Sequence, residues 1–223
     1  YVRSCLESLY AQGLSEDEFE VVCVNDGSTD TSLQILEDFQ KDHNNMTIRT
    51  IPNGGSSNAR NTGVGIARGE YIFFIDSDDY IAENTVKPLL ELAMEKQIDM
   101  LYFDFIRVDA DNLKQARYYE LDEHPEVLPG KEYYAKYYPN NGAWLFLIRR
   151  AFMVDKQVYF EVGRFAEDGM FSVLSTSKAD KVMYCHADVY RNVKRENSIV
   201  TRQDDAHLRK MIDDFAYAVE YFT

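Results

Sequence analysis

Apolar strand segments alternate with helical segments through the first half of the chain, and this alternation restricts the fold more than any other feature. The strand patterns cover residues 19–24, 48–51, 70–75 and 98–106. Predicted helices separate them, near residues 2–10, 31–39, 57–67 and 84–96. Apolar residues recur at helical spacing in the first two, whereas 57–67 is rich in small residues that permit close packing. Strands that alternate with helices of about ten residues predict an α/β fold with a mostly parallel sheet and helices on both of its faces.

The pattern loosens after residue 106. Residues 107–140 are polar and rich in tyrosine, and beyond them we expect a helix over 165–174 and two short strands over 181–185 and 189–191. An apolar stripe over 208–222 predicts a terminal helix. Because acidic residues flank this stripe, it favours packing against protein over an anionic membrane, and it is a candidate for homodimerisation or for docking on a further C-terminal region.

Composition excludes several classes of protein. The chain has 38 Asp and Glu against 24 Lys and Arg, and the net charge of −14 argues against a protein that grips nucleic-acid phosphates. Three scattered cysteines form no disulfide framework and favour a reducing compartment. No apolar run reaches the roughly 18–20 residues that a membrane span needs. We therefore expect a cytoplasmic protein, with peripheral association at the inner face of the membrane as a candidate arrangement.

Two acid-rich turns follow strands of the predicted sheet. Asp76 and Asp78 come directly after an apolar strand, and hard carboxylate oxygens without nearby His or Cys suit Mn²⁺ or Mg²⁺. The alternative is a solvated turn that caps the next helix. The turn 25–30 is also ordinary Asn, Asp and Gly chemistry, but its place after a buried strand favours Asp26 facing a ligand, since ligands in open α/β sheets bind beyond the carboxyl ends of strands.

A third acidic pair, Glu167 and Asp168, lies near the start of a predicted helix, where the helix dipole by itself favours acids. Arg60 and Arg195 are cations that could pair with these carboxylates or with a pyrophosphate. For each of these residues alone, a structural role is the default interpretation.

In combination, these segments are far more specific. Val-Asn-Asp-Gly-Ser-Thr-Asp at 24–30, Asn-Gly-Gly-x-Ser-x-Ala-Arg-Asn-x-Gly at 53–63 and Gly-Glu-Tyr-Ile-x-Phe-Ile-Asp-Ser-Asp-Asp at 69–79 occur in this order. Phe-x-Glu-Asp-x-x-Phe at 165–171 and Tyr-Arg-x-x-x-Arg-x-Asn-Ser-Ile at 190–199 follow. The sequence resembles bacterial family 2 glycosyltransferases of GT-A fold, which are inverting and use nucleotide sugars.

The resemblance implies a Rossmann-like nucleotide-binding sheet with a C-terminal acceptor-side subdomain. It implies donor binding by residues 1–106, acceptor binding and the catalytic base in 107–200, and a C-terminal helix at 201–223. Relatives usually carry a strand ending in Pro-x-Tyr-Asn before the helix that starts here at Tyr1. We expect that first strand to be missing from this chain.

The resemblance also implies roles for individual residues. On the donor side, Asn25 and Asp26 match residues that contact the uracil or ribose, and Arg60 matches one that lies near the nucleotide. The DxD motif is Asp76, which lies by the ribose and the metal, and Asp78, which holds Mn²⁺ or Mg²⁺ on the diphosphate.

The remaining matches lie in the second half of the chain. Asp168 matches the catalytic base, and we expect Glu167 to hold neighbouring groups in place. Arg191, Arg195 and Ser198 match a segment that closes over the pyrophosphate in some members.

The implied activity is transfer of a sugar, with inversion, from a UDP-sugar to a saccharide or lipid-linked acceptor in polysaccharide biosynthesis at the cell envelope. The alternative is a non-catalytic nucleotide-sugar-binding or interaction module of the same fold. The pair Glu167 and Asp168 favours the enzyme, since a binding module has no use for it. A phosphatase that uses Asp76 and Asp78 is disfavoured, because that class normally has Thr or Val where Tyr80 stands.

Overall fold

The structure is a computed structural model that describes residues 1–109, 112–121, 125–165, 167–194 and 205–221, with the side chains of 205–208 left aside. Eight α-helices are described: α1 (Val2–Tyr10), α2 (Ser32–Gln40), α3 (Ser56–Ile66), α4 (Val86–Lys96), α5 (Gly130–Tyr137), α6 (Arg150–Asp155), α7 (Glu167–Lys178) and α8 (Asp205–Tyr221).

Nine strands are described in the same ranges: β1 (Val21–Asp26), β2 (Met46–Ile51), β3 (Tyr71–Phe73), β4 (Tyr80–Ile81), β5 (Met100–Val108), β6 (Tyr119–Glu120), β7 (Val127–Leu128), β8 (Phe146–Arg149) and β9 (Val182–Val193). Strands β1 and β2 form a parallel two-stranded sheet. The others form a larger sheet in the order β3-β8-β5-β9-β4, with β6 and β7 paired to β9.

The longest pairings in the described ranges are parallel, and the short strands add antiparallel pairings to them. Strand β5 runs parallel to β9, with Met100 opposite Val182 and Val108 opposite Val193. Strand β8 lies antiparallel between β3 and β5. The α/β fold class is therefore confirmed.

Helices cover both faces of the larger sheet, as the alternating pattern predicts. On one face, Met100 and Ile148 pack against Phe152 of α6 and Phe171 of α7. On the other face, Leu101 and Leu147 pack against Leu89 and Ala93 of α4. Burial of these apolar side chains on two faces is the main favourable term that holds the sheet. No helix in the described part of the chain is long and apolar enough to cross a bilayer.

The prediction of two short strands over 181–185 and 189–191 is wrong, because β9 is continuous from Val182 to Val193. The polar residues that break the apolar pattern are accommodated within the strand. His186 lies at the surface, and Asp188 is fully buried against Arg191 of the same strand. A buried ion pair of this kind interrupts the apolar pattern, so one continuous strand resembles two short ones in the sequence.

Candidate active site

The turn after β1 is closed by its own side chains. Asn25 is buried, and its side-chain oxygen accepts a hydrogen bond from the backbone N–H of Ser28 at 3.1 Å. Gly27 has a φ of +70°, and a Cβ there would lie 3.0 Å from the backbone nitrogen of Asn53. This position therefore requires glycine on both counts.

Asp26 lies at the end of β1 and holds the loop before α3. The N–H groups of Gly54 and Gly55 donate to its two carboxylate oxygens, each at 2.8 Å. The carboxylate thus lies at the N-terminus of α3, where the helix dipole favours negative charge. Each carboxylate oxygen has a second lone pair, so Asp26 can accept a further hydrogen bond from a ligand.

The turn after β3 gathers three carboxylates. Asp76, Asp78 and Asp79 each place an oxygen within 4.8 Å of the others. The N–H of Asp79 donates to the carbonyl oxygen of Asp76 at 3.0 Å, which closes the turn. Asp76 and Asp78 are partly buried, whereas Asp79 is almost completely buried.

Asp79 fastens this turn to the end of β9. It accepts hydrogen bonds from the N–H of Val193 at 2.8 Å, the hydroxyl of Tyr190 at 2.8 Å and the amide of Asn192 at 3.1 Å. Burial raises the pKa of Asp79, although these hydrogen bonds oppose the shift. The Tyr190 ring is in turn stacked on Trp144, with centroids 4.5 Å apart.

Arg60 connects the Asp76 turn to the first turn of α7. Its guanidinium donates to Asp76 at 2.8 Å and to Asp168 at 2.6 Å, and it lies 3.6 Å from Glu167. The side chain is only 14% exposed, and it lies over the ring of Phe160 at 5.2 Å. One cation therefore neutralises carboxylates from both halves of the chain.

Glu167 and Asp168 begin α7, and their environments differ. The hydroxyl of Ser56 donates to Glu167 at 2.8 Å, which anchors that carboxylate to the start of α3. Burial raises the pKa of Asp168 to about 7; the charges of Glu167 and Asp76 add to the shift, and Arg60 opposes it. A carboxyl group with this pKa can accept or release a proton near neutral pH.

The residues expected on the segment that closes over a pyrophosphate are Arg191, Arg195 and Ser198. Arg191 is fully buried and donates to Asp188 at 3.0 Å, so its charge is engaged within β9, and the closing of its segment over a pyrophosphate stays a prediction. Arg195 and Ser198 lie outside the described residues. The structure brings together Arg60, Asp76, Asp78, Glu167 and Asp168, and α3 links this group to Asp26 and Asn25.

Three residues of the site were missed by sequence reasoning. Asp79 stood in the acidic motif without an assigned role, and Tyr190 and Ser56 carried no signal of their contacts with Asp79 and Glu167. Their partners are more than 100 residues away in sequence. The run of three carboxylates in four positions was the one local hint, because so many like charges need separate partners.

The donor set of the Asp76 turn fits a divalent cation. The converging groups are hard carboxylate oxygens of the kind that Mg²⁺ and Mn²⁺ prefer. Asp79 has both oxygens engaged by β9, since Val193 donates to one and Tyr190 and Asn192 to the other. Asp79 is also almost completely buried, whereas Asp76 and Asp78 are only partly buried, so Asp76 and Asp78 are the residues that would hold the cation.

Comparison with known proteins identifies a family. The family described as Glycosyl transferase family 2 matches residues 1–163. A Bacillus subtilis protein named uncharacterized glycosyltransferase EpsJ is 31% identical over 223 residues, which cover 94% of this chain and 63% of EpsJ. The poly(ribitol-phosphate) beta-glucosyltransferase of Bacillus spizizenii is 29% identical, over 87% of this chain and 30% of its own length.

A solved structure shows the same architecture. Residues of this chain superimpose on S. aureus TarS in complex with UDP-GlcNAc with a TM-score of 0.76 and 27% sequence identity. The match covers 92% of this chain and 58% of the TarS chain. This chain thus spans less than two thirds of each of these three proteins.

Proposed function

The chain belongs to glycosyl transferase family 2, and from this premise we propose that it transfers a sugar from a UDP-sugar to a saccharide or lipid-linked acceptor with inversion. The observation that carries the proposal is the bridge made by Arg60. It brings Asp168, whose pKa is about 7, next to the acidic turn of Asp76 and Asp78. A proton acceptor beside a site suited to a metal diphosphate is the arrangement that this transfer requires.

The donor side would be built from the two strand-end turns. Asp26 offers a fixed hydrogen-bond acceptor to the base or ribose, and Asn25 keeps the turn in shape. Asp76 and Asp78 would hold Mn²⁺ or Mg²⁺. When bound, such a cation stabilises negative charge on a departing diphosphate.

The acceptor side would supply general-base catalysis. The acceptor hydroxyl forms a bond to the anomeric carbon while the bond from that carbon to the diphosphate breaks, and UDP leaves with the electron pair. Asp168 takes the hydroxyl proton as this happens, and Glu167, held by Ser56, fixes the geometry of the first turn of α7. A single displacement from the opposite face inverts the anomeric configuration.

The relatives narrow the substrate class without fixing the sugar. TarS is known in complex with UDP-GlcNAc, and the Bacillus spizizenii relative is named a poly(ribitol-phosphate) glucosyltransferase. We infer a UDP-linked hexose or N-acetylhexosamine as donor and an envelope polymer as acceptor. We also propose residues 1–106 as the donor half, 107–200 as the acceptor half and 201–223 as a C-terminal helix. A cytoplasmic location and a homodimer stay predictions.

The decisive experiment is calorimetry followed by a transfer assay. UDP, GDP and their sugars are titrated into the protein with Mn²⁺ and with EDTA, and the donor that binds is then incubated with polymer acceptors. We expect UDP to bind more tightly with Mn²⁺, and the product to have the opposite anomeric configuration by NMR.

Two outcomes would contradict the proposal in different ways. UDP binding without turnover, on any acceptor or by slow donor hydrolysis, would leave a nucleotide-sugar-binding module. A failure to bind any of the nucleotides would exclude that module as well as the enzyme.

A further inference from the structure

Helix α8 is fixed to the loop that leads into α7. The carboxylate of Asp214 accepts hydrogen bonds from the Arg164 guanidinium at 2.8 Å and from the backbone N–H of Phe165 at 3.0 Å. Lys210, one turn earlier on α8, donates to Asp214 at 2.6 Å and to the carbonyl oxygen of Gly163 at 2.8 Å. Asp214 and Lys210 thus hold three consecutive loop residues by their charged groups and backbone.

Aromatic contacts reinforce the same attachment. The Arg164 guanidinium lies 3.9 Å from the centre of the Tyr217 ring, and the Lys210 ammonium lies 5.0 Å from that of Phe165. Stacking of cations on ring faces adds to the ion pairs where both are shielded from water. Asp214 itself is only 2% exposed, so this carboxylate is enclosed by its partners.

The position of this network along the chain gives it a consequence. Glu167 and Asp168 come two and three residues after Phe165, and the far side of that pair is held by Ser56 and Arg60 of α3. The first turn of α7 is therefore held from the α3 side by its side chains and from the α8 side by the preceding loop.

We propose that Asp214 is a positioning residue that acts through residues 163–165 to hold the first turn of α7, and hence Asp168, in place for proton transfer. The proposal rests on the proposed function of Asp168. It assigns the C-terminal helix a part in catalysis although none of its described residues belongs to the acidic site.

The ionic state of Asp214 suits this role. Burial alone would raise its pKa, but hydrogen bonds from Lys210, Arg164 and the Phe165 N–H outweigh burial and lower it to about 2. Asp214 therefore stays ionised at pH values near neutrality. Its ion pairs with Arg164 and Lys210 do not change with pH there.

The test is Asp214→Asn, which keeps the shape of the side chain and removes its charge. We expect turnover to fall by about 10- to 100-fold, since a displacement of about 1 Å at a catalytic group has effects of that size. UDP affinity should stay within about twofold, because Asp26 is held by the N–H groups of Gly54 and Gly55 and not through this network. Hydrogen–deuterium exchange should rise in peptides that cover 167–171.

Asp38→Asn is the matched control. Asp38 also sits on a helix and binds a lysine, Lys41, at 2.7 Å, but that pair is exposed on α2. We expect this variant to keep turnover, UDP affinity and exchange unchanged. If Asp214→Asn does not fold, Arg164→Gln removes one partner of the network from a residue that is 33% exposed, and it should give a smaller change in the same direction.

Two measurements separate this inference from the proposed function. Full turnover of Asp214→Asn, or unchanged exchange over 167–171, would overturn the positioning role. If Asp168→Asn, assayed in parallel, keeps full turnover, the base assignment fails, and the exchange measurement still decides whether Asp214 orders the start of α7.

Discussion

Asp26 and Asp168 are both held at the N-terminal end of α3, but by different kinds of partner. Asp26 is bound by two backbone amides of the loop before the helix. Asp168 is bound by the Arg60 side chain one turn into the helix, with Glu167 and Asp76 nearby. Backbone amides do not ionise near neutral pH. The side chains around Asp168 are ionisable, so the charge on each of them affects how readily the others bind a proton.

This difference separates recognition from proton transfer. The amides give Asp26 a fixed direction and leave lone pairs for a ligand, which is suited to hydrogen bonding. The burial and charges around Asp168 raise its pKa to about 7, which is suited to general-base work. Both residues are aspartates, so the distinction comes from their partners: backbone amides for Asp26 and ionisable side chains for Asp168.

Asp168→Asn is the strongest test of the different roles proposed for Asp26 and Asp168. The amide keeps the size of the side chain and cannot accept the proton, so turnover should fall by about 10²- to 10⁴-fold. UDP affinity should stay near that of the wild type, as measured by calorimetry beside a steady-state assay. Nearly full turnover would move the base role to Glu167.

Asp78→Ala tests the acidic turn of Asp76, Asp78 and Asp79. We expect loss of the Mn²⁺-dependent part of UDP affinity, about 100-fold for a cation that contributes several kcal/mol. The fold should persist, because Asp79 fastens the turn to β9 and keeps its partners in this variant. Asp42→Ala on the exposed surface is the control, and equal UDP affinity with Mn²⁺ and with EDTA in the wild type would contradict the metal site.

Asp26→Ala addresses recognition. Loss of a hydrogen bond to a charged group should weaken UDP by about 1–3 kcal/mol, or roughly 5- to 150-fold, with turnover at saturating donor little changed. Asp30→Ala is a matched control in the same turn, since that carboxylate accepts from the N–H of Ser32 at 2.9 Å. Should the melting temperature fall while UDP affinity stays constant, Asp26 only shapes the turn.

The smallest expected effect is the pH dependence of turnover. The raised pKa of Asp168 means that it is largely protonated at pH 6, where an ordinary aspartate is ionised, and only the carboxylate accepts a proton. Turnover should therefore rise about tenfold per pH unit up to about pH 7 and level off above it. Arg60→Gln should move the midpoint upward, because the Arg60 charge lowers this pKa; a midpoint near 4 in the wild type would contradict the assignment.

Local patterns predicted much of the fold and several of the residues that meet at the candidate site. Strands β1, β3 and β5 and helices α1 to α4 correspond to short-range patterns in the sequence. The two acidic turns directly follow β1 and β3. The order of the motifs predicted that Asp76, Asp78 and Asp168 belong to one site, and Arg60 does pair with both Asp76 and Asp168.

The contacts that assemble the site could not be predicted in the same way. Arg60 reaches Asp168 across 108 residues, and Asp79 reaches Val193 across 114. Such pairs depend on how the sheet brings distant segments together, which periodicity does not encode. The buried pair of Asp188 and Arg191 likewise interrupts the apolar pattern of β9 and hides its continuity.

The attachment of Asp79 to β9 also determines when this turn can form during translation. The acidic turn leaves the ribosome early, yet its fastening partners at Tyr190, Asn192 and Val193 are translated more than 110 codons later. A contact this distant in sequence forms slowly and only after the intervening chain is available. Nascent protein therefore cannot hold this turn in its finished form until β9 has been translated.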